Sequence, residues 1–103
     1  MVKKKFFKTK CKVTFELPPD IEGPRVVYLV GEFNDWNERA TKLQKKGAHF
    51  AVTLDLDLNR EYQYRYLVNG SMWCNDREAD RYVPNPFSGE NSVVSTRSLG
   101  GVQ

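Results

Sequence analysis

Two tryptophans follow strand-like segments, and they are the residues of this sequence best suited to contact a ligand. Trp36 ends the segment VVYLVGEFNDW, and Trp73 ends the segment YQYRYLVNGSMW. An indole has a broad apolar face that can stack on the axial C–H face of a pyranose ring, while the sugar hydroxyls stay free for hydrogen bonds. Two exposed indoles on rigid strands therefore favour binding of a neutral sugar, although either tryptophan alone could simply cap one end of the fold.

Three polar residues near the tryptophans are candidates for orienting such a sugar. Gln63 and Arg65 alternate with tyrosines in the strand pattern that precedes Trp73, and Asn91 directly precedes the last predicted strand. Amide and guanidinium groups donate hydrogen bonds to hydroxyls. We therefore expect these side chains to form a polar rim beside the indoles.

An acidic cluster near Trp73 raises the alternative of a glycosidase, which needs two carboxylates held at a fixed separation across the sugar. Asp76, Glu78 and Asp80 lie in one short segment. There we expect them to bond turn amides or to pair with the arginines between and beside them. The chain also has no glycine-rich phosphate loop and no nucleophile with a partnered histidine. The sequence thus predicts no catalytic residue and no cofactor.

The cysteines and the single histidine do not indicate a metal site or a disulfide framework. Cys11, Cys74 and His49 are too few and too far apart for metal-ligand spacing, so we expect both thiols to be reduced. The N-terminal segment has only Phe6 and Phe7 where a secretory signal needs about 7–15 apolar residues. No apolar run approaches the roughly 18 residues of a membrane span. These features predict a cytoplasmic protein without a membrane partner.

The hydrophobic pattern predicts an all-β chain. Apolar and polar residues alternate along most segments, which is typical of half-buried strands, and Asn69–Gly70 is a strong hairpin signal. The segment 25–31 is almost continuously apolar and is predicted to be a central strand. The segment 75–89 is predicted to be a loop. The predicted strands cover 5–17, 25–31, 41–44, 49–56, 62–68, 71–74 and 92–96.

Strands with this spacing indicate an antiparallel β-sandwich of immunoglobulin type with seven or eight strands. A chain of 103 residues is expected to form one domain, because a second core would need about 50 residues of its own. We expect its ordered core to span about 5–97 and the tail 98–103 to be frayed.

The net charge of +3 comes from a local cluster of lysines in the first dozen residues. Such a cluster is more typical of a solvated arm or a protected sheet edge than of a nucleic-acid site. We therefore expect no nucleic-acid partner. The lysines are Lys3, Lys4, Lys5, Lys8, Lys10 and Lys12.

Three motifs in order resemble the family-48 carbohydrate-binding modules. These are VYLVGEFNDWN, YQYRYLVNGSMWCNDREAD and NPFSGENSVV, which together cover about 25–96. That group includes the early-set N-terminal domains of isoamylases and branching enzymes and the glycogen-binding domain of the AMP-activated protein kinase beta subunit. The chain also looks like stand-alone bacterial proteins with an isoamylase early-set domain.

The resemblance implies an immunoglobulin-like sandwich that binds α-1,4-linked glucan, such as glycogen or starch, on one face. Trp36 and Trp73 would be its stacking tryptophans, Arg65 its basic strand residue and Asn91 its hydrogen-bonding asparagine. Phe87 stands where the family has a ring-inserting leucine. Many early-set domains serve only as structural modules beside a catalytic barrel.

Three hypotheses follow from the sequence. The leading one is a non-catalytic module that binds α-1,4-glucan and brings a glycogen-metabolising enzyme or another protein to it. The alternative is a structural or protein-interaction module with a vestigial sugar site. The third, nucleic-acid binding through the lysine cluster, is disfavoured because the chain beyond that cluster is slightly acidic.

Overall fold

The computed structural model describes residues 2–86 and 89–97, and these form nine strands in two antiparallel sheets. The first sheet has the strand order β1-β2-β5-β4, and the second has the order β3-β6-β9-β8, with β7 also paired with β6. The two sheets confirm the predicted β-sandwich. The strands are β1 (Val2–Phe6), β2 (Lys10–Glu16), β3 (Val27–Gly31), β4 (Gln44–Lys46), β5 (His49–Asp57), β6 (Glu61–Val68), β7 (Met72–Cys74), β8 (Arg81–Pro84) and β9 (Glu90–Ser95).

Two differences account for the larger number of strands. The predicted strand 5–17 is divided into β1 and β2 by a turn in which the Phe7 amide donates to the Lys10 carbonyl at 2.8 Å. The predicted loop 75–89 contains β8, which pairs only with β9 among the described strands and is therefore an edge strand. Pro84 is tolerated at its end because an edge strand has no neighbour on its outer side.

The predicted strand 41–44 is displaced, and its displacement changes the position of β3. The segment 41–43 runs along β3, where the Leu29 amide donates to Thr41 and the Leu43 amide donates to Val27, both at 2.8 Å. The chain then crosses to the first sheet as β4. β3 is therefore not a central strand as predicted. Among the nine strands, it is the outermost one on its side of the second sheet, and the segment 41–43 covers its edge.

The core lies between the sheets and is built from the inward faces that alternation predicts. Along β6, Tyr62, Tyr64, Tyr66 and Val68 are all buried. The Phe15 ring of β2 meets the Tyr64 ring edge-on, with 5.0 Å between centroids. This contact between strands of opposite sheets ties the two layers together. The other buried core residues are Cys11, Val13, Leu17, Val27, Leu29, Leu43, Phe50, Leu56 and Val94.

The lysine-rich strand β1 lies at an edge of the first sheet, in line with its predicted role as a protected edge. Most of the clustered lysines pair with carboxylates on neighbouring segments, for example Lys4 with Asp80 at 2.6 Å and Lys12 with Asp55 at 3.6 Å. Charges on an edge strand discourage pairing with another sheet. The predicted frayed tail lies outside the described residues.

Candidate functional site

The outward face of the second sheet carries a buried apolar patch that is separate from the core. Val30 of β3, Leu67 of β6 and Val93 of β9 are 0%, 4% and 1% exposed. An apolar patch on the outside of a sheet stays buried only where larger side chains cover it. The cross-strand partners of these residues are three of the predicted site residues, respectively Arg65, Trp73 and Gln63.

These side chains form a groove of about 820 Å³. Of the six predicted site residues, the structure brings together five, and the sixth, Phe87, lies outside the described residues. The groove is lined by Glu32, Trp36, Gln63, Arg65, Trp73, Asn85, Pro86 and Asn91. Sequence reasoning missed Glu32, Asn85 and Pro86.

Trp36 reaches the groove from a tight turn after β3. A 3₁₀ helix, Glu32–Asn34, follows the strand, and the Trp36 amide donates to the Gly31 carbonyl at 2.9 Å. The Asn34 side chain accepts from the Gly31 amide at 3.1 Å and donates to the Leu29 carbonyl at 2.9 Å. Trp36 has a φ of 57°, a left-handed conformation that costs a non-glycine residue about 1–2 kcal/mol. The turn therefore fixes an indole that is 38% exposed.

Trp73 reaches the groove from the hairpin that Asn69–Gly70 predicts. Both turn residues have positive φ, 54° and 77°. The Asn69 side-chain oxygen accepts from the amides of Arg25 and Val26 at 2.8 and 3.2 Å, so the turn is tied to the start of β3. β7 then pairs with β6 and leaves the Trp73 indole 39% exposed.

Arg65 lies against Trp73, with its guanidinium carbon 5.8 Å from the ring. This contact is a cation–π interaction, which holds the guanidinium over the indole. Arg65 Nε is buried and has no hydrogen-bond partner among the described residues. Arg65 forms no salt bridge with a described carboxylate, so the site keeps a positively charged hydrogen-bond donor.

A row of amides forms one wall of the groove. The Asn91 side chain donates to Gln63 Oε1 at 3.0 Å, and Asn85 Nδ2 lies 3.5 Å from Asn91 Oδ1. Asn91 is only 8% exposed, so it serves mainly to orient Gln63. Glu32 Oε1 accepts from the backbone amide of Gln63 at 2.7 Å. These bonds hold the wall in one conformation.

Asp76 does not face the groove. It is 2% exposed, and its Oδ2 accepts from the hydroxyls of Tyr64 and Tyr66 at 2.9 and 3.1 Å. Burial is the main cause that raises the pKa of both tyrosines above the ordinary value of 10.0, and the negative charge of Asp76 raises it further. The expected bond to a turn amide is present, from Glu78 at 3.3 Å. This buried network anchors the segment that follows Trp73.

The two arginines next to the acidic cluster pair with carboxylates that lie outside it. Arg77 pairs with Asp20, and Arg81 pairs with Glu61 at 2.5 Å. Among the described residues that line the groove, Glu32 is the one carboxylate. A pair of carboxylates facing each other across the groove is therefore not formed by this part of the chain.

The described residues contain no group of three or more His, Cys, Asp or Glu side chains that could hold a metal ion. Within the same residues, Cys11 and Cys74 are free thiols, and burial raises the pKa of both. No helix in the described part of the chain is long and apolar enough to cross a membrane.

Comparison with curated proteins finds relatives in baker's yeast. The cruciform DNA-recognizing protein 1 of Saccharomyces cerevisiae strain RM11-1a is 26% identical over 96 residues, covering 85% of this chain and 20% of the relative. The protein of the same name in strain FostersB is 25% identical over the same length. The chain thus spans about a fifth of the length of these curated relatives.

Comparison with protein families matches residues 11–89, more than half of the chain, to one family. The match includes both groove tryptophans, Gln63, Arg65 and all three residues that sequence reasoning missed. It supports carbohydrate binding, in agreement with the resemblance seen in the sequence. The chain belongs to the family described as the glycogen recognition site of AMP-activated protein kinase.

Proposed function

We propose that this chain is a non-catalytic module that binds α-1,4-glucan, such as glycogen or starch, in the groove on the outward face of the second sheet. The observation that carries the proposal is that two exposed indoles, one from the turn after β3 and one from β7, line one groove together with a guanidinium and a row of amides. Family membership supports carbohydrate binding, and the groove suggests how this chain would achieve it.

Trp36 and Trp73 would each stack on a glucose ring. Stacking removes water from the apolar face of the indole and from that of the sugar, and the hydroxyl rim stays exposed to polar neighbours. Because the groove is open to solvent, we expect an affinity on the order of micromolar to millimolar for a short glucan.

The polar residues would set the orientation of the glucan. Arg65, held over Trp73, would donate to sugar hydroxyls, and Gln63 would contact the sugar from the wall that Asn91 stabilises. The resemblance implies a sugar contact for Phe87 as well, since it stands where the family has a ring-inserting leucine; that residue lies outside the described part of the chain. A neutral ligand suits this set, since the described residues that line the groove include one carboxylate and one guanidinium.

The module would serve to bring another protein, such as a glycogen-metabolising enzyme, to its polysaccharide. A cytoplasmic location remains a prediction from the sequence. The alternative, a structural or protein-interaction module with a vestigial sugar site, predicts the same fold and no glucan binding.

Nucleic-acid binding is a second candidate because the yeast relatives are named for recognition of cruciform DNA. The lysine cluster would be its natural contact surface. However, Lys3, Lys4, Lys10 and Lys12 all pair with carboxylates. A phosphate contact at any of these four lysines would then have to compete with an existing ion pair, so the charges favour the glucan.

Isothermal titration calorimetry with β-cyclodextrin and maltoheptaose, at low and high salt, tests the proposal. We expect binding that tolerates salt, because stacking on a neutral sugar releases no counterions. Trp36→Ala and Trp73→Ala should each weaken binding at least about tenfold, and Arg65→Ala by about 1–3 kcal/mol. Phe7→Ala is the matched control, since Phe7 is an exposed aromatic residue at 47% that does not line the groove.

The three functions give different results. Absence of binding to either sugar would support the structural module. Binding of a DNA junction that weakens steeply with salt, and that depends on the lysines but not on the tryptophans, would support the nucleic-acid candidate.

A further inference from the structure

Glu32 places a fixed carboxylate in the groove. β3 ends at Gly31, which pairs with Tyr64, and the chain then turns into the 3₁₀ helix. The amide of Gln63, which precedes Tyr64 on β6, therefore has no β3 carbonyl opposite it. Glu32 Oε1 accepts its hydrogen at 2.7 Å instead. A hydrogen bond from a backbone amide to a carboxylate is charge-assisted, so the side chain is anchored although it is exposed.

Within the described part of the chain, one oxygen of the Glu32 carboxylate has no hydrogen-bond partner. Among residues 2–86 and 89–97, Glu32 Oε2 accepts no hydrogen bond, and Glu32 forms no ion pair with Arg65. The groove thus presents one anchored negative charge and one positive charge that do not neutralise each other by contact. Both line the same 820 Å³ space as the indoles.

A carboxylate accepts hydrogen bonds and donates none. Sugar hydroxyls can donate to it, whereas phosphate and sulfate groups offer only acceptor oxygens and a charge of the same sign. Without the carboxylate, the groove would combine two aromatic faces with a guanidinium, a combination that binds single-stranded nucleic acid and other anionic polymers.

We propose that Glu32 is a specificity residue, which makes the groove select neutral glucans and reject anionic polymers of similar shape. The proposal rests on the proposed function, because it concerns the same groove. It assigns to Glu32 two effects on ligands: its free oxygen accepts from a glucose hydroxyl, and its charge repels sulfate or phosphate groups.

The test uses β-cyclodextrin and sulfated β-cyclodextrin, which share one ring of glucose units and differ in charge. Glu32→Gln removes the charge, while its side-chain carbonyl can still accept from the Gln63 amide. We expect this variant to bind β-cyclodextrin about 3- to 10-fold more weakly, because a charged acceptor becomes a neutral one. It should bind the sulfated ring at least about tenfold more tightly at low salt, and the gain should shrink as salt screens the charges.

Glu38→Gln is the matched control, because Glu38 is an exposed glutamate of the same turn region that does not line the groove. It removes the same net charge and should leave the ratio of the two affinities unchanged. The proposal is overturned if Glu32→Gln also leaves that ratio unchanged. A purely structural role of Glu32 would change both affinities by a similar factor.

The wild-type protein separates this inference from the function on which it rests. If it fails to bind β-cyclodextrin, the proposed function falls and the inference with it. If it binds β-cyclodextrin but the affinity ratio does not respond to Glu32→Gln, only the inference falls.

Discussion

Replacing Gly31 with alanine tests how the second sheet positions Trp36. The φ of Gly31 is −170°, an extended conformation that any residue adopts, so the backbone does not require glycine here. Space does. A Cβ at this position would lie 2.6 Å from the Gln63 carbonyl oxygen, 2.8 Å from Tyr64 Cβ and 2.9 Å from Phe33 Cζ. The first two atoms belong to the paired strand β6 and cannot rotate away.

The expected cost follows from those contacts. Overpacking a close-packed site usually costs about 1–3 kcal/mol, and two rigid contacts below 3.0 Å place Gly31→Ala near the upper limit, about 3 kcal/mol. For a domain of this size, that loss lowers the midpoint of thermal unfolding by about 10–20 °C. Glucan binding should weaken as well, because the Gly31 carbonyl accepts from the Trp36 amide and moves with the strand.

The assay is thermal and urea unfolding, combined with calorimetric titration of β-cyclodextrin. Gly47→Ala is the control, because Gly47 has a φ of 61° and no atom within 4 Å of an added Cβ. It should cost only about 1–2 kcal/mol, from the left-handed backbone, and leave binding unchanged. The reasoning is refuted if Gly31→Ala costs no more than Gly47→Ala. Normal binding by a destabilised Gly31→Ala protein would show that the turn holding Trp36 is not coupled to the strand.

Three further predictions concern the network behind the groove and the hairpin. Asp76→Ala should lower the free energy of unfolding in urea by about 1–3 kcal/mol, because the buried Tyr64 hydroxyl loses its acceptor and the Tyr66 hydroxyl keeps only the Glu16 carbonyl, whereas Tyr66→Phe should cost about 1 kcal/mol. Since the folded state raises the pKa of Tyr64 and Tyr66, their contribution to stability is complete below pH 10.0 and is lost as the pH rises further. Alkaline unfolding followed at the tyrosinate absorbance should show these two ionising only as the chain unfolds. Asn69→Ala should cost about 2 kcal/mol, and Asn69→Gly about half of that, because glycine restores the positive φ but not the two bonds to backbone amides; thermal unfolding of the two variants measures the difference.

Alternation along β6 was the strongest predictor of both the core and the groove. Because successive side chains of a strand point to opposite faces, buried tyrosines at 62, 64 and 66 required Gln63 and Arg65 to lie on the other face. The turn at Asn69–Gly70 then returns the chain beside β6, which brings Trp73 next to Arg65. Local rules of this kind need no knowledge of the rest of the fold, which is why they succeeded.

The failures come from contacts between distant parts of the chain. β3 has a continuous apolar pattern because both of its faces are buried, with Leu29 in the core and Val30 under the groove. A central strand has the same sequence pattern, so the sequence alone does not distinguish the two positions. Asp76 lies in a run of charged residues, and nothing near it in sequence indicates that two tyrosine hydroxyls will cover its carboxylate. Glu32 joins the groove only because the Gln63 amide lacks a strand partner. The sequence pattern of one segment does not show that an amide on another strand lacks a strand partner.

The two faces of β6 separate stability from binding within a single strand. The inward tyrosines pack in the core and, through Asp76, anchor the segment after Trp73, so changes there should first lower stability. The outward residues cover the apolar patch and line the groove, so conservative changes there should first alter affinity. Gly31 lies where the two functions meet, since the same close approach to β6 that packs the sheet also sets the turn of Trp36. Variants of Gly31 should therefore affect both properties together, whereas Glu32→Gln and Tyr66→Phe should each affect mainly one.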